Sequence, residues 1–160
     1  MPLYLAYGAN MSETVLSRRL GRTAAVDLAR RRGVLCDYKL VFNKRSSTDP
    51  LVGYANVVPA GGHRVEGVLN QLTDGELARL DDIELVPHHY VRSRLTVHDS
   101  AGPVAAHVYL AHPAWIRGDL RPLRGYLDVL LGGAGLLSPE YVGPLRALPC
   151  RDEELTPQDR

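Results

Sequence analysis

Residues 73–94 read TDGELARLDDIELVPHHYVRSR, and one residue within them, Glu84, decides how the rest of the chain is understood. Thr73 and Glu76 have the T-x-x-E spacing of a capping box, in which a threonine hydroxyl and a glutamate carboxylate each satisfy a backbone N–H at a helix start. At about 100° per residue, Leu77, Leu80 and Glu84 fall on one stripe, while Ala78, Arg79 and Asp82 lie around the other side. The spacing therefore predicts a helix whose apolar face carries a carboxylate. A carboxylate turned toward a core loses hydration unless it is paired, which raises its pKa and its basicity. Such a residue is either a structural ion-pair partner or a working acid/base. Pro87 sets where the helix must give way, because the residue before a proline is pushed out of the helical region.

The whole chain limits the remaining options. Its 160 residues make one ordinary domain, expected over 1–150, with a polar tail over 151–160 that is expected to fray. A net charge of +1, from 19 basic and 18 acidic residues, supplies no general pull toward nucleic acid or anionic lipid, so neither is an expected partner. The basic run Arg30-Arg31-Arg32 is short and has no interleaved aromatic platform, which suits a solvated face or a single anion. The opening MPLYLAYGAN has no basic segment followed by a long apolar run, and no stretch approaches the ~20 apolar residues of a membrane span. A soluble, cytoplasmic protein is expected. Cys36 and Cys150 lie far apart with no C-x-x-C neighbour, as isolated reduced thiols do. The preponderance of Arg over Lys points to a GC-rich, bacterial coding genome.

In chain order, Leu3–Tyr7 reads as a buried strand broken by Gly8. Tyr7-Gly8-Ala9-Asn10-Met11 is then a turn, and Ser12 is an N-cap for a helix through Leu20. A strand-to-helix turn of this kind aims several unpaired N–H groups at one point, as carboxylate and phosphate sites do, although many such junctions bind nothing. Val34–Asn43 reads as a strand in which Leu35, Tyr38, Leu40 and Phe42 share a face only if a bulge intervenes. A polar loop is expected over Lys44–Gly53, then strands Tyr54–Val58 and Arg64–Leu72 joined by a hairpin-like Pro59-Ala60-Gly61-Gly62. His88–His98 and Pro103–Ala111 form another strand pair. The C-terminal third turns helical: one helix carries Leu123, Tyr126, Leu127 and Leu130 and stops at Gly132-Gly133, and another runs near Ser138–Leu148.

Familiar catalytic patterns are missing. There is no G-x-S-x-G, H-E-x-x-H, Walker A loop or strand-linked G-x-G-x-x-G. His88 and His89, adjacent on a strand, point to opposite faces and make a poor ligand pair; a surface or core position suits them better. Cys36, mid-strand among apolar residues, reads as a small core residue. What remains is one inward carboxylate, one anion-ready turn, and eight Tyr against one Phe and one Trp, hydroxylated rings that serve either polar pockets or ordinary cores.

In this order the fragments resemble the γ-glutamylcyclotransferase family, which includes γ-glutamylamine cyclotransferases and an enzyme of butirosin biosynthesis. The matching pieces are Tyr7-Gly8-Ala9-Asn10, where the family usually has Y-G-S-N; Gly53-Tyr54-Ala55-Asn56-Val57-Val58-Pro59; Val65-Glu66-Gly67-Val68-Leu69; Leu80-Asp81-Asp82-Ile83-Glu84, like the family's L-D-x-x-E; Tyr90-Val91-Arg92; and Gly125-Tyr126. The match covers most of the chain, roughly from Leu3 to Leu148. The resemblance implies an α+β fold, a small mixed β-barrel with surrounding helices and a site at its mouth. It implies cyclisation of a γ-glutamyl group to 5-oxoproline with release of an amine or amino acid, without metal or cofactor. Glu84 is then the general acid/base. Tyr7, Gly8, Ala9 and Asn10 hold the substrate carboxylate through main-chain N–H groups, and Tyr90 and Tyr126 orient the glutamyl unit.

Two departures from the family pattern stand out: Ala9 replaces the usual Ser, and Leu85 replaces the Gly that commonly follows the glutamate. Arg92 is expected either to pair with a carboxylate or to face solvent. Removal of a γ-glutamyl protecting group from a larger metabolite, and ligand binding without catalysis, are the alternatives on the same scaffold.

Overall fold

The computed structural model describes residues 1–22 and 29–152. Five strands, β1 (Leu3–Ala6), β2 (Arg31–Arg45), β3 (Gly53–Gln71), β4 (Tyr90–Asp99) and β5 (Gly102–Ala111), close into a barrel in the order β1-β3-β2-β4-β5. Every pairing is antiparallel except β1 with β5, which makes the barrel mixed, as expected. Leu5, Leu35, Val65, Leu69, Val97 and Val108 are among the buried apolar side chains at its centre, each stabilising by about 1.5–3 kcal/mol on removal from water. Helices α1 (Glu13–Leu20), α2 (Asp74–Ile83), α3 (Arg124–Gly132) and α4 (Pro139–Arg146) accompany the barrel.

A bulge, the condition on which the apolar residues of β2 could share a face, is present at Asp37. Its φ of 61° is left-handed, and the β2–β3 register shifts between Cys36 and Tyr38. This lets Leu35 and Tyr38 both turn inward. Cys36 is consequently exposed, with Sγ 4.0 Å from His98 Nδ1, and is not the core residue its apolar neighbours suggested.

Residues 59–62 do not form a hairpin. Leu35 pairs with Val65 and Lys39 with Val58, so both halves of β3 run antiparallel to the same strand and the chain does not reverse. The glycines instead supply the extra length opposite Asp37: Gly62 has a φ of +80°, and its N–H donates to Asp37 Oδ1 at 3.0 Å. The polar loop is also shorter than expected, because β2 continues through Lys44, which pairs with Tyr54, to Arg45.

The helix ends follow their capping residues. Ser12 accepts from the Val15 N–H, and left-handed Gly21 closes α1. The Thr73–Glu76 capping box is complete. Glu76 also takes two bonds from Arg22, Oε1 from Nε at 2.6 Å and Oε2 from Nη2 at 2.5 Å, which clamps the end of α1 to the start of α2. Gly133 lies against the backbone of Met11 and Ser12, where an added Cβ would be 2.2 Å from Met11 C; α3 is thereby seated on the turn that follows β1. The basic run is spent on internal contacts, with Arg30 on Met11 O, Arg31 on Asp99 and Arg32 near Glu66. Arg151 is tied back by its backbone to Pro122 and Arg124, and the rest of the expected polar tail, 153–160, lies outside the described residues. No helix among the described residues is long and apolar enough to cross a membrane.

Candidate active site

A cavity of about 280 Å³ opens where the end of β1, the end of β2, the starts of β3 and β4 and the end of β5 come together. All seven residues singled out by sequence, Tyr7, Gly8, Ala9, Asn10, Glu84, Tyr90 and Tyr126, line it. Six of the eight tyrosines contribute to the wall, and Tyr4, Tyr7, Tyr109 and Tyr126 among them also belong to the buried core, so the hydroxylated rings serve both.

Glu84 is the C-cap of α2, one residue beyond the helix proper, and its N–H still bonds Leu80 O at 2.8 Å. The stripe that buries Leu77 and Leu80 thus carries the carboxylate into the cavity. The chain then leaves the helix abruptly. Leu85 has a left-handed φ of 53°, and the Val86–Pro87 peptide is cis. A left-handed position suits glycine, which explains in backbone terms why a Gly is expected there.

The partners of Glu84 come from the first turn and from α1. Asn10 Nδ2 donates to Tyr4 Oη at 3.0 Å and lies 3.4 Å from Glu84 Oε1, while Asn10 Oδ1 accepts from Arg19 at 2.7 Å. Arg19 itself is 3.9 Å from Glu84 Oε1. The Asn10 side chain therefore ties carboxylate to guanidinium, and what the turn offers a ligand is main chain. Its internal hydrogen bonding starts with Met11 N–H to Gly8 O, which leaves the N–H groups before Met11 without a partner inside the turn. Burial pushes Glu84 above the ordinary glutamate value, and Arg19, Lys44 and the Asn10 bond pull it part of the way back.

Two tyrosines hold the two backbone polar groups of a single residue, Ala55. Tyr90 donates to Ala55 O at 3.0 Å, and Tyr126 accepts from Ala55 N–H at 3.2 Å. The Tyr90 proton is thereby committed to the backbone, whereas the Tyr126 hydroxyl keeps its proton to give. Gly8 makes room for it, since an added Cβ would stand 3.1 Å from Tyr126 Oη and 3.2 Å from Ala55 Cβ. Tyr7 donates to Tyr109 O, and Tyr109 donates to Asp81 Oδ1 at 2.7 Å. Burial, the leading cause in each case, holds Tyr4, Tyr7, Tyr90, Tyr109 and Tyr126 above the ordinary tyrosine range, so these hydroxyls stay neutral. Arg92 lies outside the cavity wall and bonds Asp81 at 2.8 Å, the protein carboxylate its pattern allowed.

Sequence reasoning missed Arg19, Lys44 and His89, which also line the cavity. Arg19 follows buried Val15 by four residues on α1, a helical spacing that places it on the inward side. Lys44 follows Phe42 by two positions, and both reach the same aromatic wall: Phe42 lies edge-on to Tyr126 at 6.4 Å, and Lys44 Nζ sits 5.8 Å from the centre of the Tyr54 ring. His89 stacks on Trp115 at 3.9 Å, a contact made through distant sequence that no local pattern announces.

The structure is similar to one described as a γ-glutamyl cyclotransferase, with a TM-score of 0.82 at 23% sequence identity over 99% of this chain and 95% of that one. It is also similar to an uncharacterized protein from Homo sapiens, with a TM-score of 0.80 at 25% identity over 96% of this chain and 91% of the other. YkqA from Bacillus subtilis gives a TM-score of 0.76 at 23% identity over 93% of this chain and 55% of YkqA. No curated protein sequence matches the chain. The family model described as γ-glutamyl cyclotransferase, AIG2-like, matches residues 4–127, the span that contains β1, the turn after it, Glu84 and Tyr126. The chain belongs to that family.

Proposed function

We propose that this protein is a cofactor-independent cyclotransferase that converts the γ-glutamyl unit of a small amide into 5-oxoproline and releases the amine. The observation that carries this reading is the placement of Glu84. It is an inward carboxylate with a raised pKa, 3.4 Å from the side chain of Asn10, whose backbone belongs to the turn suited to gripping the glutamyl end.

The substrate's α-amine is mostly protonated near neutral pH and cannot attack in that form. It first gives one proton to solvent; as the neutral nitrogen bonds to the γ-carbonyl carbon Glu84 takes a second proton from it, and the amide C–N bond breaks as Glu84 passes that proton to the departing nitrogen, which leaves a neutral lactam and the free carboxylate. One carboxylate serves both nitrogens because they lie on the same carbon at the tetrahedral stage. Nucleophile and electrophile share one molecule, so the main contribution of the pocket is to hold a five-membered-ring geometry. The N–H groups of Gly8, Ala9 and Asn10 take the α-carboxylate, a role that the missing Ala9 hydroxyl does not touch. The proton left on Tyr126 is available to the glutamyl unit.

A cavity of about 280 Å³ sits at the small end of ligand pockets, which run from about 300 to 1,000 Å³. That size favours a small amide over a large metabolite carrying a γ-glutamyl protecting group. The test is 5-oxoproline release from a panel of γ-glutamyl amino acids and amines, with Glu84→Gln beside the wild type. Turnover that persists in the variant removes the proposed base, and tight binding without turnover in the wild type moves the protein to a ligand-binding role.

A further inference from the structure

Lys44 is the least expected residue in the cavity. It is 6% exposed, one of two lysines in the chain, and it stands at the end of a barrel strand. Its Nζ sits 2.9 Å from His89 Nδ1 and is framed by the rings of Trp115, Tyr90 and Tyr54, with centroids 4.9, 5.6 and 5.8 Å away. Among the described residues, no carboxylate lies within 4.0 Å of it. Burial of an ammonium costs free energy unless an anion answers it, and ring faces and one imidazole answer it in part.

The charge of the wall points the same way. Arg19, Lys44 and Glu84 are its charged side chains, and His89 is held neutral by burial and by its neighbours Lys44 and His88. The wall therefore carries one net positive charge when Glu84 is ionised. A γ-glutamyl amine brings one ammonium and one carboxylate and leaves that charge unanswered. A γ-glutamyl amino acid brings a second carboxylate and neutralises it.

Two ring contacts lead from one anion station to the other. The proposed glutamyl grip is beside Tyr126 Oη at Gly8, the Tyr54 ring is 5.1 Å from that of Tyr126, and Lys44 Nζ is 5.8 Å from the Tyr54 ring. From these observations we infer that Lys44 reads a carboxylate on the departing amine, so that the protein discriminates γ-glutamyl amino acids from γ-glutamyl amines at this residue. The assignment rests on the cyclotransferase reading above. It adds to that reading the identity of the leaving-group station. At neutral pH the ammonium form prevails, since burial brings Lys44 down to about 8, with Glu84 opposing the fall and Arg45 adding to it.

The experiment uses matched pairs that differ by one carboxylate: γ-glutamyl-alanine against γ-glutamyl-ethylamine, and γ-glutamyl-2-aminobutyrate against γ-glutamyl-propylamine. In wild type, kcat/KM favours the carboxylate member by about tenfold or more, the effect of a hydrogen bond to a charged group. Lys44→Met brings the ratio near one, and Lys44→Arg restores most of it. A wild-type ratio near one overturns the assignment. So does an equal loss on both members of each pair in Lys44→Met, which would put Lys44 at the glutamyl end. Calorimetric binding of the same pairs to Glu84→Gln reads the preference without turnover. A carboxylate preference there that vanishes on adding Lys44→Met supports the assignment even if the acid/base role fails, and its absence overturns it.

Discussion

Two glutamates carry their carboxylates into the protein, and they are answered in opposite ways. Glu66, 1% exposed on β3, has both oxygens filled: Oε1 accepts from the Ser138 N–H at 2.8 Å, and Oε2 accepts from Ser138 Oγ at 2.7 Å, with Arg64 at 3.1 Å. Ser138 is the N-cap of α4, so Glu66 is a rivet between barrel and helix. Glu84 faces a cavity, with Asn10 at 3.4 Å and Arg19 at 3.9 Å, and keeps lone pairs to spare. The lesson is that inward placement alone does not mark a working carboxylate. What distinguishes the two is how completely the protein's own donors occupy each one.

The largest separation is expected from swapping each for glutamine. Glu84→Gln keeps shape and removes the proposed proton carrier, and the expected loss in kcat is about 10²–10⁴-fold with the fold intact. Glu66→Gln replaces an acceptor oxygen facing Ser138 and Arg64 with an amide; the expected cost is about 1–3 kcal/mol of stability. At this chain length that lowers Tm by about 2–4 °C per kcal/mol. Steady-state kinetics beside thermal melts of both variants checks the contrast, and the reverse pattern would break it.

Gly8→Ala probes the cavity next. The added methyl would press on Tyr126 Oη and Ala55 Cβ, at 3.1 and 3.2 Å. Since displacements of an ångström at a site cost up to about 10²-fold, kcat/KM is expected to fall by at least about tenfold while Tm moves little.

A smaller effect concerns stability and pH. The folded pKa of Glu84 is raised, so the folded state binds this proton more tightly than the unfolded chain does. The stability associated with that proton is fully present below the unfolded value, about 4.3, and is lost as pH rises through the folded one. Glu84→Gln removes this loss. The variant is expected to melt above wild type at pH 7, with the difference shrinking as pH approaches 4, in a series of melts across that range.

The smallest effect is expected at the cavity rim. Leu85 is 51% exposed and pays for a left-handed backbone, about 1–2 kcal/mol, which glycine would relieve while adding about 0.5–1 kcal/mol of unfolded-state freedom. Leu85→Gly is expected to change stability by no more than about 1.5 kcal/mol and to admit bulkier leaving groups, read as lower KM for their γ-glutamyl amides.

Much of this was legible in local sequence. The capping box, the Leu77–Leu80–Glu84 stripe and Ser12 as N-cap each follow from backbone geometry within about ten residues, and each is where the spacing put it; the β2 pattern raised a bulge without locating it. What was misread depends on distant partners. Gly61-Gly62 looks like a turn until β2 is known to run alongside both halves of β3. Cys36 looks like core until the bulge at Asp37 sets which neighbours face in. Trp115, from after β5, lies against both Lys44 and His89, a shared partner that no local spacing announces.

The account stands on the proton affinity of Glu84, and a carboxyl-detected ¹³C NMR titration of that residue in the wild-type protein measures it most directly. The midpoint is expected above the ordinary glutamate value of about 4.3, and Arg19→Met is expected to move it further up, because the Arg19 charge pulls it down. A wild-type midpoint at or below the ordinary value would contradict the claim that burial has tuned this carboxylate for proton transfer.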